Sequence, residues 1–155
     1  MNPFPINRLV ERVIEMLSYQ AKKQQAAIHF APTEDYSIYA DPVKIEQVLF
    51  NLVSNGLQEV EKNSNIWIDT GIAGTSAYIT VADDGPGIPP ELRQRVFEPF
   101  FTTKPVGEGT GLGLSICAGI IAEANGVIDV AEREGGGTIF TLLLPSEEPE
   151  KVWET

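Results

Sequence analysis

Apolar residues recur three and four apart from Ile6 to about Gln25, at Ile6, Leu9, Val10, Val13, Ile14 and Leu17, which predicts an amphipathic helix with one buried stripe. Ala27 to Ala31 and Ser37 to Ala40 read as two short strands around the turn-like Pro32-Thr33-Glu34-Asp35. Asp41-Pro42 has the form of an N-cap followed by proline at the first helical position. The helix it opens carries Ile45, Val48, Leu49, Leu52 and Val53 and is expected to run to about Lys62. Asn65 to Ile72 and Ala77 to Ala82 alternate as a strand pair joined by a glycine-containing turn.

The second half of the chain is punctuated by glycine and proline. Asp83 to Pro90 reads as a loop, and a short helix is expected over about Glu91 to Val96. Thr102 to Gly109 has turn residues and little periodicity, which predicts a mobile loop. Leu112 to Asn125 is predicted as a helix ending near Gly126. Val127 to Arg133 and Thr138 to Leu144 form a closing hairpin over Glu134-Gly135-Gly136-Gly137. No internal repeat appears. Helices and a mostly antiparallel sheet alternate in blocks, so the expected architecture is an α/β two-layer sandwich. One domain over residues 1–145 and an acidic tail or linker over 146–155 account for the 155 residues.

Charge narrows the function classes. Acidic residues outnumber basic ones 22 to 11, for a formal net charge of -11. Nucleic-acid affinity rests on lysine and arginine neutralising phosphates, so a nucleic-acid partner is not expected. A phosphate-bearing ligand would have to be held locally, by backbone amides, a metal ion or a few placed cations. Cys117 is the only cysteine, so the chain can form no internal disulfide, and a cytoplasmic location is expected. No apolar run approaches the ~20 residues of a membrane helix, and residues 1–6 lack the regions of a signal peptide. No membrane contact by this chain is expected, although a parent protein anchored in a membrane is compatible with it.

Four segments carry candidate chemistry. Asn51 and Asn55 lie four apart on the second long helix, so both amides project from one face. An amide oxygen is a hard neutral ligand for Mg²⁺, and a solvated helix face accounts equally well for these two residues alone. Asp83-Asp84-Gly85-Pro86-Gly87-Ile88 follows a predicted strand. A carboxylate buried there needs a donor; the exocyclic amine of adenine is one, whereas guanine presents a carbonyl oxygen at that position. Gly85 and Gly87 would let the backbone approach a flat base, and a plain Asp-Gly turn is the other account. Gly107-Glu108-Gly109-Thr110-Gly111-Leu112-Gly113-Leu114 leads into a helix, the setting in which freed backbone N–H groups bind an anion. It lacks the Lys-Ser or Lys-Thr of a Walker loop and the spacing of the dinucleotide fingerprint, which leaves a flexible hinge as its alternative. Gly135-Gly136-Gly137-Thr138 is a hairpin turn whose hydroxyl could reach a base beside Asp83.

Taken together and in this order, the segments resemble the N, G1, F and G2 boxes of the catalytic domain of two-component histidine kinases, followed by its short G3 segment. Asp41–Glu59 is similar to the N box, Asp83–Ile88 to G1, Phe97–Phe101 to the F box and Gly109–Leu114 to G2. The resemblance spans about Pro5 to Pro145 and extends to the gyrase, heat-shock-90 and mismatch-repair ATPases. It implies a Bergerat-type ATP-binding fold, with three main helices on a five-stranded mixed, largely antiparallel sheet. It also implies Mg-ATP as the nucleotide, with Asn55 as metal ligand and Asn51 beside the phosphates. Asp83 would take the adenine amine, with Gly85, Gly87, Ile88 and Thr138 lining the base. The stretch from Thr102 to Thr110 would be the ATP lid, with Lys104 at the terminal phosphate or simply exposed. Gly109, Thr110, Gly111, Leu112, Gly113 and Leu114 would close on the phosphates, and Phe97, Phe100 and Phe101 would anchor the lid.

The implied reaction is transfer of the γ-phosphoryl group to a histidine on separate dimerisation and phosphoacceptor helices, with a response regulator as an indirect partner. His29 is the only histidine; it falls in a predicted strand with no acidic residue directly after it, and a structural or surface role is expected. Gln58 stands where many such kinases carry lysine or arginine. Hydrolysing relatives of this fold place a glutamate four residues before the metal-binding asparagine, where this chain has Asn51, which cannot act as a base. An ATPase of that kind and a non-catalytic ATP-sensing module are the alternative readings.

Overall fold

The computed structural model describes residues 1–59, 63–99, 101 and 113–147. Along the chain these form β1 (Asn2–Pro5), α1 (Ile6–Gln24), β2 (Ala27–His29), β3 (Ser37–Ala40), α2 (Pro42–Glu59), β4 (Asn65–Ala73) and β5 (Ser76–Asp83). A single 3₁₀ turn at Pro90–Leu92 precedes α3 (Gly113–Glu123), β6 (Val127–Glu132) and β7 (Thr138–Pro145). Five strands form one sheet in the order β2-β4-β5-β7-β6. Only the β2–β4 pairing is parallel, so the sheet is mixed and largely antiparallel, with three helices on it as expected.

The helical stripes behave as their periodicity requires. Ile6, Leu9, Val10, Val13 and Leu17 of α1 are buried, and Ala21 joins them, whereas Ile14 is only partly covered. Ile45, Val48, Leu49, Leu52, Val53 and Leu57 bury the matching face of α2. Against them lie Ile66 and Ile68 of β4, Ala77, Ile79 and Val81 of β5, and Phe140, Leu142 and Leu144 of β7. Asp41 caps α2: its Oδ1 accepts the Val43 N–H at 3.0 Å, satisfying one of the donors left free by the first turn. The Gln24 side chain donates to Leu57 O at 2.6 Å, and Arg12 meets Glu46 at 3.4 Å, so α1 and α2 run side by side in the same direction. Among the described residues no helix is long and apolar enough to cross a membrane.

One strand was not foreseen, and two expectations need correcting. Asn2–Pro5 forms a strand that its two prolines conceal, and it pairs antiparallel with β3 in a separate two-stranded sheet. β2 and β3 therefore do not face each other across Pro32–Asp35; β2 joins the main sheet beside β4. The helix expected over Glu91–Val96 shortens to the 3₁₀ turn and a run of hydrogen-bonded turns, Arg95 N to Leu92 O, Glu98 N to Arg95 O and Phe101 N to Glu98 O. That departure lets Val96 bury and turns Phe97 edge-on to Phe140 of β7, with ring centroids 6.3 Å apart. The end of α2 near Lys62, the loop Thr102–Gly109 and the tail from residue 148 lie outside the described residues. Ser146, the residue after β7, still donates its hydroxyl to Thr75 O at 2.8 Å.

The join between α3 and β6 leaves no room for a side chain. Gly126 N bonds Ile121 O at 2.9 Å, and a Cβ on Gly126 would overlap the carbonyl oxygen of Leu143 on β7. Gly126→Ala is expected to cost about 1–3 kcal/mol by overpacking, read as a lowered urea midpoint with an unchanged slope.

Candidate functional site

β5 and β7 are paired along their whole length, from Ser76 opposite Pro145 to Asp83 opposite Thr138. The alternation that buries Ala77, Ile79 and Val81 also turns Asp83 inward, and the one that buries Phe140, Leu142 and Leu144 turns Thr138 inward. Asp83 is 7 % exposed and Thr138 5 %, and they are the buried polar side chains among the described residues. The backbone N–H of Gly85 donates to Asp83 Oδ1 at 2.9 Å, which aims the carboxylate.

Glycines wall this pair. Gly87 has φ +80, and a Cβ there would press on Gly137 O at 3.3 Å. Gly137 has φ +105, and a Cβ there would overlap the carbonyl of Asp83. Both positions need a backbone conformation that side chains disfavour, and both let the two loops touch. The third wall is Gly56 on α2, where an added Cβ would lie 3.8 Å from Asp83 Oδ2 and 2.8 Å from Ile66 Cδ1. Glycine inside a helix costs about 1 kcal/mol relative to alanine, a cost this close approach explains.

α2 brings the two asparagines to the same end of the fold. Asn55 directly precedes Gly56, and both amides are half-buried. Asn51 Nδ2 approaches Cys117 Sγ of α3 at 3.7 Å, and Lys44 meets Glu123 at 3.5 Å. These two contacts run α3 antiparallel to α2, which sets the first turn of α3, Gly113 and Leu114, level with Asn51 and Asn55. Burial drives the Cys117 thiol up to about 11, against a small opposing effect of the Asn51 amide, so it stays neutral at pH 7. Among the described residues no group of three or more His, Cys, Asp or Glu could hold a metal ion. A divalent cation at this site would depend on amide oxygens, water and the phosphates of a ligand, a donor set that suits Mg²⁺.

The family model described as histidine kinase-, DNA gyrase B- and HSP90-like ATPase matches residues 40–148. The chain belongs to that ATPase family. Sensor histidine kinase ZraS of Escherichia coli (strain K12) is 36% identical over 141 residues, 90% of this chain and 30% of that protein. Sporulation kinase C of Bacillus subtilis (strain 168) is 32% identical over 142 residues, 90% of this chain and 33% of that protein. The chain thus spans about a third of the length of the curated relatives it matches. The solved catalytic domain of histidine kinase ThkA superposes with a TM-score of 0.85 at 37% identity, covering 93% of this chain and 94% of that one. ThkA has also been solved in complex with the response regulator TrrA, with a TM-score of 0.77 at 32% identity, covering 93% of this chain and 41% of that one. These are histidine kinases, and the catalytic domain of that branch of the family is what this chain is similar to.

Within this ATPase-family fold, Asp83, Gly87 and Thr138 converge, with Gly85 and Ile88 in the same loop. Asn51 and Asn55 lie on α2, whose Gly56 approaches Asp83, and Gly113 and Leu114 open α3, while Lys104, Gly109, Thr110, Gly111, Leu112 and Phe100 lie outside the described residues. Phe101 packs on the core as expected and lies under the Arg95 guanidinium at 4.8 Å. His29 is structural: its Nε2 is 2.8 Å from Asn65 Oδ1 and its ring stacks on Trp67 at 5.7 Å. Sequence reasoning missed Gly56, Asp84 and two arginines. Arg93 Nε donates to Ile88 O at 3.2 Å and its Nη2 lies 3.9 Å from Glu132, tying the loop after Asp83 to β6. A glycine inside a helical pattern is the one signal that could have pointed to Gly56. The arginines carry none, because bonds from a side chain to backbone carbonyls and contacts with Glu132 or Trp67 leave no pattern in the sequence.

Asp84 accepts the backbone N–H of Asn65 at 2.9 Å and its side-chain N–H at 3.1 Å. Burial works to raise its carboxyl; the Asn65 donors, its own backbone N–H and the Arg133 charge outweigh that and hold it below the ordinary value. A carboxyl lowered on folding stabilises fully above its unfolded pKa of ~3.9, and the effect is lost as pH falls through the lower folded value. Asp84→Asn should therefore be less stable than the parent chain at pH 7 in urea titrations, and the difference should vanish well below pH ~3.9. Cys117 gives a second check. In the folded chain it should resist iodoacetamide at pH 8 and react promptly in urea; equal rates in both conditions would contradict its burial.

Proposed function

We propose that this chain is the ATP-binding catalytic domain of a protein-histidine kinase, donating the γ-phosphoryl group of Mg-ATP to a histidine on separate dimerisation helices. The observation that carries the reading is the buried Asp83 opposite Thr138, walled by Gly87 and Gly137 and bordered by the helix of Asn51 and Asn55. A buried carboxylate aimed by the Gly85 N–H offers acceptor oxygen at the end of β5, and the adenine amine is a donor that matches it. Guanine would set oxygen against oxygen. Gly85, Gly87 and Ile88 line the base, and Thr138 bonds its edge directly or through water.

The phosphates lie toward α3. Backbone N–H groups of its first turn, with Gly113 and Leu114, favour an anion there, and the lid residues Gly109, Thr110, Gly111 and Leu112 complete the cradle. Lys104 serves the terminal phosphate. Bound Mg²⁺ supplies charge neutralisation on the phosphates. Asn55 would hold it through its amide oxygen, with Asn51 on the same helix face. The work of the chain is therefore positioning and electrostatic stabilisation, with the nucleophilic nitrogen arriving from another segment.

Asn51 favours phosphoryl transfer to a protein over steady hydrolysis, because a carboxamide cannot take a proton from water. ADP is the product left in the site. A response regulator is the indirect partner, in line with the ThkA–TrrA complex. The reading places the domain on the cytoplasmic side of whatever parent protein carries it.

Calorimetric titration with ATP and GTP, each with and without Mg²⁺, tests the assignment. Saturable ATP binding, tightened by Mg²⁺ and much weaker with GTP, is the expected result. Asp83→Asn should reduce ATP affinity at least tenfold, the loss of about one charge-assisted hydrogen bond. No heat with any nucleotide would end the claim. Adding a separate histidine-bearing helical domain and radiolabelled ATP distinguishes a kinase from an ATP sensor: label on the histidine is expected, and binding without transfer would favour the sensor.

A further inference from the structure

The turn that walls the base side of Asp83 consists of three consecutive glycines, Gly135, Gly136 and Gly137, with φ of +92, +107 and +105. Such a segment loses more conformational entropy on ordering than any other, so something must hold it. The holder is Arg133. Its backbone N–H donates to Gly137 O at 3.0 Å, and its carbonyl accepts the Gly136 N–H at 2.9 Å. Its side chain then turns back, with Nη1 donating to Gly136 O at 2.9 Å.

The same guanidinium lies over the Trp67 ring, 4.0 Å from its centroid. Trp67 alternates with the buried Ile66 and Ile68, so it stands on the face of the sheet away from the helices. Across the sheet it is level with Ala82 of β5 and Ile139 of β7, each next to Asp83 or Thr138 in sequence. Trp67 is itself braced by the stacked His29 ring. Arg133 thus reaches from the β6–β7 turn across the reverse face to β4, behind the strands whose inner faces present Asp83 and Thr138.

We infer that Arg133 is a positioning residue for adenine recognition, clamping the Gly135–Gly137 turn against Asp83 and Gly87 from the reverse face of the sheet without meeting the nucleotide. The inference rests on the reading of Asp83 as the adenine acceptor. A solvated surface arginine would not make a bond to a turn carbonyl, a ring contact and a charge interaction with Asp84 at once. Shape matters here as much as charge: the guanidinium lies over the indole while one of its nitrogens donates to the carbonyl, a pairing that an ammonium group does not reproduce.

The test compares ATP with inosine triphosphate, which carries a carbonyl where adenine carries its amine, by displacement of a fluorescent ATP analogue from the folded chain. Arg133→Ala should weaken ATP about tenfold while leaving inosine triphosphate unchanged, so that discrimination between the two bases narrows. Arg133→Lys should recover part of the loss. Trp67→Leu, which removes the platform and leaves the turn sequence intact, should shift the ratio in the same direction, and it carries the test if Arg133→Ala does not fold. Unchanged ATP affinity, or an equal loss for both nucleotides, would overturn the inference while leaving the ATP site in place. A parent chain that binds no ATP would overturn the underlying reading and the inference with it.

Discussion

The eight-residue antiparallel pairing of β5 with β7 is the constraint from which the candidate site follows. These strands occupy the middle of the sheet and contribute Ile79, Val81, Phe140 and Leu142 to the core. A slip of one residue in either strand would turn its two of those side chains away from the core, so burial specifies the register strongly. The same register sets Asp83 opposite Thr138. Polar residues placed at the end of a buried apolar ladder inherit its precision, and the carboxylate can be held desolvated because the strands beneath it cannot shift.

The loops around that pair are ordered by a different kind of interaction. Net charge is strongly negative, yet two of the eleven basic residues lie behind the loops that border Asp83. Arg93 secures Ile88 at the far end of the loop after Asp83, and Arg133 secures the glycine turn that faces it. Both bond backbone carbonyls, so the loops gain order without carrying cations into the pocket. The two guanidinium groups are thereby spent on backbone order and not on the space in front of Asp83.

Legibility in the sequence followed the range of the interaction. The stripe from Ile6 to Leu17 and the Asp41-Pro42 cap are local, and α1 and α2 begin where those signals place them. The alternation in β4, β5 and β7 is equally local and identified Asp83 as a strand end. Strand partners are not local: nothing in Ala27–His29 indicates that it lies parallel to β4 instead of facing β3. β1 was hidden because prolines argue against a strand, and it survives by pairing only with β3 in its own two-stranded sheet. The turns after Pro90 depart from a helix because Val96 and Phe97 bury against the core, a tertiary gain that outweighs local propensity. The Arg133–Trp67 contact joins residues 66 positions apart and has no local trace.

The short sheet at the start of the chain has a mechanical meaning. β1 ends at Pro5 and α1 begins at Ile6, with no residue of slack between them. α1 is in turn tied to α2 near its middle, by Arg12 with Glu46, and at its C-terminal end, by Gln24 with the Leu57 carbonyl. Strand, first helix and asparagine-bearing helix are thus coupled in series like the arms of a stiff lever. A displacement at Asn2–Pro5 therefore has a packed route to the helix that holds Asn51 and Asn55, while the Gly135–Gly137 turn stays tied to Arg133 at the end of β6.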